Sequence, residues 1–266
     1  MATKVGRVQL DEVEETLLWT VYSKVLDFRN AHPVLGDIWA VDVFDRLDFD
    51  QRVLRGVSSD RYMVLLRARC IDTWARRWIA ENPEGTVLHL ACGLDARALR
   101  LGLPRGGRWF DLDLPSVVEL RRGLLPEPDG YRLLSGSVTE PAWLDQVPAD
   151  APVLVIAEGL VEYLPREQTR LLLDRLVDHF PRGGELVFDT VRPWVGRMAR
   201  VVGRRMHGMA DPRSPEHWNP RLTLAEDFPL MSGHEEVPER FYRASYQLMN
   251  GWEPTRSAMR VSRFRF

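Results

Sequence analysis

Residues 86–115, TVLHLACGLDARALRLGLPRGGRWFDLDLP, constrain the fold more than any other stretch of this chain. The apolar run Val87-Leu88-His89-Leu90-Ala91, bounded by turn residues, reads as a buried strand. A tight turn at Cys92-Gly93-Leu94-Asp95 leads into a short helical segment over residues 96–103. A second strand, Trp109-Phe110-Asp111-Leu112, ends on Asp113. Nucleotide-binding α/β folds need this order of parts: small residues let the backbone approach a ligand, and an acid after the second strand can hold a ribose diol. Asp113 lies twenty positions beyond Gly93, the spacing such a role requires. The turn itself is Ala-Cys-Gly and not glycine-rich, so it does not read as a phosphate cradle.

The flanking segments extend the pattern. Residues 11–28 carry Leu17, Leu18, Val21, Val25 and Phe28 at helical spacing, and a second helical pattern starts near Ile38. A third runs over residues 60–79, with Tyr62, Leu65, Leu66, Ile71, Trp74 and Trp78 on one prospective buried face. Asn82-Pro83-Glu84-Gly85 ends this all-helical region. Beyond it, strands at 131–134, 153–157 and 185–189 join the first two, with helices between them from near Pro115 and over residues 166–180. Five apolar strands alternating with helices predict a parallel, doubly wound sheet. Ligands of such sheets sit at the carboxyl ends of the strands, here Ala91–Gly93, Asp113, Ser135–Ser137 and Glu158–Gly159. The tail predicts an amphipathic helix over residues 192–209, with Arg197, Arg200 and Arg204 opposite Trp194, Met198, Val201 and Val202. A proline-rich connector, a helical segment around 238–249 and a closing pair of strands within 250–266 follow. The expected division is a helical cap over 1–83, a cofactor-binding core over 84–191, a lid over 192–247 and closing strands over 248–266.

Bulk properties exclude several classes of function. Thirty-six Lys and Arg against 38 Asp and Glu give a net charge of −2, so no global field favours nucleic acid or an anionic membrane. No apolar run approaches the roughly 18 residues that a membrane span needs, and the first residues lack the apolar core of a signal peptide. Cys70 and Cys92 form neither a disulfide framework nor a metal-ligand pattern, which suits a reducing cytosol; a cytoplasmic location is expected. Oligomeric state stays open between monomer and homodimer.

Individual residues admit two readings each. Asp113 can cap the helix that begins near Pro115 or bind a ribose, and the residues alone leave both open. Glu158 can be a solvated strand-end acid or a ligand group, and Arg67 a surface charge on an amphipathic helix or an anion partner. Cys92 reads as a small packing residue, and Cys70 as core. The arginines of 192–209 form a solvated face or part of a lid that attracts an acidic substrate. His207, His217 and His234 are lone histidines, which are more often structural than catalytic.

The motifs VLHLACGLDARALRL, WFDLDLP and VIAEGLVEYL, in this order, resemble the core motifs of the leucine carboxyl methyltransferase family, within it the polyketide-type O-methyltransferases. ETLLWTVYSKVLDFRN, LRARCIDTW and DPRSPEHWNPRLTLAEDF extend the resemblance over nearly the whole chain. The resemblance implies a class I, Rossmann-like S-adenosylmethionine-dependent methyltransferase with a helical cap. It implies that Arg67 pairs with the methionine carboxylate of the cofactor, a bidentate guanidinium–carboxylate contact. Ala91, Cys92 and Gly93 match the turn under the methionine part, and Asp113 the ribose-binding acid. Glu158 and Gly159 match the motif near the cofactor's amino group, and Tyr163 borders the substrate pocket. Ser137, with Val138 beside it, stands where the family usually places an adenine-recognising acid, and Ala91 replaces a glycine.

The expected chemistry is methyl transfer to a carboxylate or phenolic oxygen of a small natural product, with no metal. An ionised carboxylate needs no base; for a phenol, Tyr163 and His207 are weak candidates. Two rivals remain. A nicotinamide-dependent oxidoreductase lacks support because neither G-x-G-x-x-G nor Tyr-x-x-x-Lys occurs in place; a cofactor-binding or degenerate non-catalytic homologue is suggested by Ala91 and Ser137, but Arg67, Asp113 and Glu158 are all retained.

Overall fold

A computed structural model describes residues 5–7, 12–49, 61–201 and 203–266, with backbone alone for 5–7 and 12–16. The chain begins with β1 (Val5–Arg7), α1 (Glu12–Phe28), α2 (Ile38–Arg46), β2 (Leu47–Asp48), which pairs parallel to β1, and α3 (Arg61–Glu81). Strand and helix then alternate through β3 (Thr86–Leu90), α4 (Arg97–Leu101), β4 (Arg108–Asp113), α5 (Pro115–Arg122), β5 (Tyr131–Ser135), β6 (Val153–Ala157), α6 (Arg166–His179) and β7 (Gly184–Val191). The tail supplies α7 (Pro193–Val201), α8 (Ser214–Trp218), β8 (Thr223–Pro229), α9 (Arg240–Asn250), α10 (Glu253–Arg256) and β9 (Met259–Arg265).

Seven strands form one sheet in the order β5-β4-β3-β6-β7-β9-β8. The first five run parallel, and β9 lies antiparallel between β7 and β8. The winding reverses between β3 and β6, which opens a crevice at their carboxyl ends. Side-chain alternation distributes each strand over two faces. Leu88, Leu90, Phe110, Val153, Val155 and Phe188 pack against Leu172, Leu173, Leu176 and Val177 of α6. Val87, Trp109, Leu154, Ile156 and Val187 pack against Ile71, Trp74, Ala75 and Trp78 of α3. Both faces are covered, which explains why β3 and β6 are apolar and buried along their whole length.

Every residue expected on the inner face of the third helix is buried in α3. The cap helices α1 and α2 pack Leu18, Val21, Val25, Ala40 and Val43 onto Leu94 and Ala96, directly over the turn that follows β3. Three features of the tail differ from expectation. The closing strands do not both lie in 250–266: β9 pairs with β8, drawn from 223–229, and residues 253–256 are helical. The TLAEDFP segment covers the edge of β9 that β7 leaves open, from Arg260 to Arg265. The helix expected over 192–209 stops at Val201, ahead of Gly203 at φ +81°. Of its apolar face, Trp194 is half-buried, Met198 and Val201 are 62% and 87% exposed, and Val202 lies outside the described residues. Among the described residues, no helix is long and apolar enough to cross a membrane and no group of side chains has the makings of a metal site.

Candidate functional site

The turn after β3 is held from two directions. Asp113, at the end of β4, accepts from Gly93 N–H through Oδ2 at 2.6 Å and from Leu114 N–H through Oδ1 at 2.7 Å. Arg121 of α5 donates to the carbonyls of Gly93 at 2.9 Å and Asp95 at 2.8 Å. Arg121 is itself fixed by the buried Asp111 carboxylate and by Tyr131. This bracing keeps the two small residues on either side of Cys92 in left-handed conformations: Ala91 at φ +49° and Gly93 at φ +53°. Ala91 therefore does not have the ordinary dihedrals that its substitution for glycine would favour. A left-handed alanine stores strain of about 1–2 kcal/mol. At Gly93 a Cβ would come within 2.5 Å of Leu17 Cδ2 in α1. The helix-capping reading of Asp113 is not what the structure shows, since the N-cap position of α5 is Leu114 and carries no side-chain cap. Burial raises the Asp113 pKa, opposed by the two N–H donors.

A cavity of about 110 Å³ opens at the carboxyl ends of β3 and β6. Its floor is Ala91, Cys92 and Gly93, and one wall is Glu158, Gly159, Glu162 and Tyr163. Arg67 enters from α3, while Leu17, Thr20 and Lys24 of α1 form the roof. Arg67 is not a surface charge. It is buried, donates from Nε to Glu158 Oε1 at 3.0 Å and from Nη1 to Asp189 Oδ2 at 2.8 Å, and lies 3.7 Å from Glu162 Oε1. Gly159 N–H, at φ +65°, donates to the other Asp189 oxygen at 2.7 Å. A Cβ at Gly159 would stand 3.4 Å from Arg67 Nη2, so glycine there lets the guanidinium lie against the backbone. Arg69, two positions on, faces away and pairs with Glu236.

A second buried guanidinium completes the site, and sequence reasoning missed it. Arg97 is fully buried and donates from Nε to Asp72 Oδ1 at 2.7 Å and from Nη2 to Glu158 Oε2 at 2.5 Å. Arg100 binds both oxygens of Asp72, Asp37 at 2.6 Å and Asp95 at 2.9 Å, and Lys24 reaches Asp95 at 3.0 Å. Six carboxyls (Asp37, Asp72, Asp95, Glu158, Glu162, Asp189) thus meet four cations (Lys24, Arg67, Arg97, Arg100) around the cavity. Burial pushes the Glu158 carboxyl up, but Arg97 and Arg67 outweigh it and hold its pKa at about 2. Asp72 and Asp95 are likewise lowered against burial by their arginines. Glu162 goes the other way, to about 8, through burial and the neighbouring Asp189 carboxylate against the pull of Arg67.

Of the residues singled out in the sequence, Arg67, Ala91, Cys92, Gly93, Glu158, Gly159 and Tyr163 line one cavity, with Asp113 bonded to its floor. Ser137 and Val138 do not line it. After β5 the chain turns into a 3-10 helix at Pro141–Gln146; Ser137 Oγ lies 2.8 Å from Thr139 Oγ1, and Val138 packs on the core. His207 touches the site by its backbone, donating to the Glu162 carbonyl at 2.5 Å. Tyr163 stands 40% exposed at the mouth, its pKa raised by burial and by Glu162. Cys92 is a buried thiol whose pKa burial pushes far up, so it packs and does not attack. Cys70 is half-buried and packs against the edge of the core. The missed groups carried one readable signal: Asp111 and Asp189 are carboxylates inside otherwise apolar strands, where a charge survives only with a buried partner.

Comparison with known proteins agrees with this geometry. The profile of the leucine carboxyl methyltransferase family matches residues 43–177. The tetracenomycin polyketide synthesis O-methyltransferase TcmP of Streptomyces glaucescens is 42% identical over 231 residues, covering 84% of this chain and 85% of that protein. The S-adenosyl-L-methionine-dependent methyltransferase dpfgK of Gibberella zeae is 38% identical over 202 residues, 69% of this chain and 68% of that protein. Among solved structures, a candidate methyltransferase from Thermobifida fusca YX shares the fold, with a TM-score of 0.61 at 13% identity and 93% of each chain covered. This chain belongs to the leucine carboxyl methyltransferase family.

Proposed function

We propose that this protein is an S-adenosylmethionine-dependent O-methyltransferase that methylates a carboxylate or phenolic oxygen of a small, polyketide-like molecule by in-line transfer. The observation that carries the reading is the convergence, at the switch point of the sheet, of Arg67, Glu158 and the Asp113-braced turn in one cavity. The relative at 42% identity that is named for O-methylation in polyketide synthesis supports the acceptor class.

The residues fit the cofactor. A buried guanidinium suits an α-carboxylate, the strand-end acids suit an ammonium and a ribose diol, and the positive-φ turn leaves the floor free of side-chain bulk. Arg67 would exchange one of its three carboxylate neighbours for the cofactor's carboxylate, Glu158 would face the amino group, and Asp113 the ribose. When bound, S-adenosylmethionine supplies a methyl group already activated by its sulfonium. The protein's own task is then to hold the acceptor oxygen in line and exclude water. Tyr163 at the mouth borders the acceptor, and the cap roof of Leu17 and Thr20 keeps solvent from the floor. No side chain at the mouth is a strong base, which favours an acceptor that arrives ionised. Two free thiols fit a cytoplasmic setting.

The test is incubation with S-adenosylmethionine and a panel of aromatic carboxylates and phenols, read by mass spectrometry for the gain of one methylene. Parallel calorimetry uses S-adenosylmethionine, S-adenosylhomocysteine and NAD(H) on wild type, Asp113→Ala and Arg67→Ala. Adenosyl ligands alone should bind, and both variants should lose them. Binding of NAD(H) instead, or of nothing, overturns the reading.

A further inference from the structure

Glu162 is a carboxyl of the cavity whose interactions do not close. It is 3% exposed and lines the cavity, yet its Oε2 has no hydrogen-bond partner. The cation nearest to it is Arg67, 3.7 Å from Oε1, and that guanidinium already binds Asp189 at 2.8 Å and Glu158 at 3.0 Å. Glu158 has Arg97 as a second partner, but Glu162 and Asp189 compete for Arg67. Among the described residues no other cation lies within ion-pair distance of Glu162. The Asp189 carboxyl and the Tyr163 phenol are its titratable neighbours, Lys24 on the roof of the same cavity pairs with Asp95, and the His207 N–H donates to the Glu162 main-chain carbonyl and not to the carboxyl. Two carboxyls against one shared guanidinium do not both ionise in a buried site.

We propose that Glu162 holds a proton in the protein before ligand binds and releases it to solvent when the positively charged cofactor docks, so that loading with S-adenosylmethionine is coupled to proton release. This rests on the cavity's being the site for the amino-acid end of the cofactor. The balance is simple: protonated Glu162 plus cationic ligand gives carboxylate, bound ligand and one proton taken by buffer. S-Adenosylmethionine carries a positive sulfonium as well as its zwitterionic amino-acid end, whereas S-adenosylhomocysteine lacks the sulfonium. Glu162 thereby becomes a charge-matching residue that favours the cofactor over its demethylated product. The raised pKa of about 8 agrees with this placement of the proton.

Calorimetric titration of the full chain with S-adenosylmethionine at pH 7, in phosphate and in Tris, reads the proton directly, because the two buffers differ in ionisation heat. A group at about pKa 8 is roughly 90% protonated at pH 7. Wild type should release close to one proton with S-adenosylmethionine and clearly less with S-adenosylhomocysteine. Its Kd for S-adenosylmethionine should tighten roughly tenfold from pH 6 to pH 7 and level off above pH 8. Glu162→Gln should bind with no buffer dependence. Binding by wild type without proton release, or the same release from Glu162→Gln, overturns the proposal. Should Glu162→Gln fail to fold, the wild-type buffer series and the break in Kd near pH 8 decide alone. Absence of binding to any adenosyl ligand at any pH instead overturns the cofactor reading on which the proposal stands.

Discussion

Replacing Arg97 by methionine removes one of the two buried arginines that tie α3 to the sheet. Arg97 joins Asp72 of α3 to Glu158 at the end of β6, both by buried charge-assisted bonds. Neither carboxylate is left wholly alone, since Asp72 keeps Arg100 at 2.7 Å and Glu158 keeps Arg67 at 3.0 Å. Two hydrogen bonds to charged groups contribute about 1.5–3 kcal/mol each. Breaking a buried ion pair by removing one partner costs about 3–5 kcal/mol, and the retained arginines place Arg97→Met at about 3–4 kcal/mol. For a domain of this size that corresponds to a fall in Tm of roughly 6–8 °C by calorimetry at pH 7. The acid side supplies a second signature. The Glu158 pKa of about 2 lies below its ordinary 4.5, so its contribution is fully present above pH 4.5 and is lost as pH falls toward 2. That depression amounts to roughly 3 kcal/mol, with Arg97 its largest source. The gap between wild type and Arg97→Met should therefore be widest above pH 5 and narrow toward pH 2. The comparison is Arg77→Met, whose pair with Glu226 is exposed and contributes at most about 1 kcal/mol. A Tm loss for Arg97→Met below about 2 °C, or one no larger than for Arg77→Met, would refute the reasoning.

The remaining predictions concern the turn and Glu162. Ala91→Gly relieves left-handed strain of about 1–2 kcal/mol against about 0.4–1 kcal/mol of added unfolded-state entropy, so Tm should rise by about 1–2 °C; an unchanged or lower Tm refutes the strain. Gly93→Ala adds that same strain and a contact with Leu17, so a loss of about 1–2 kcal/mol and weaker S-adenosylhomocysteine binding are expected. A tightly bound S-adenosylhomocysteine at a hundredfold excess over Kd should stabilise wild type by about 2.7 kcal/mol, seen as a concentration-dependent Tm. Glu162, with its folded pKa raised to about 8, binds a proton that the unfolded chain has lost, so it makes stability fall as pH rises from about 4.5 to about 8. Glu162→Gln should remove this slope from a plot of Tm against pH; an identical slope in the variant counts against the assignment.

Much of the fold was legible because it is written in local patterns. The apolar runs of β3, β4 and β6 alternate with helical spacing, and Asn82-Pro83-Glu84-Gly85 separates α3 from β3, so the strand and helix boundaries came within a few residues. The β8–β9 pairing was not legible, because TLAEDFP has ordinary strand character and only its long-range partner makes it part of the sheet. The candidate site was half legible. Arg67, the turn, Asp113 and Glu158 follow from motif and family, whereas Arg97, Asp189 and Glu162 do not.

By itself, then, the sequence determined the doubly wound sheet, its buried strands, the edge where polar residues gather and the family. Periodicity and small-residue turns act over a few neighbouring positions, so they can be read along the chain. Only the tertiary structure decided which charges share a partner. Arg67 meets Asp189 across 122 positions and Arg97 meets Glu158 across 61, and no local pattern reports such distances. The energy of a buried charge depends on who stands within a few ångströms of it, which is why Glu158 is held strongly acidic while Glu162, four residues later, keeps its proton near neutrality.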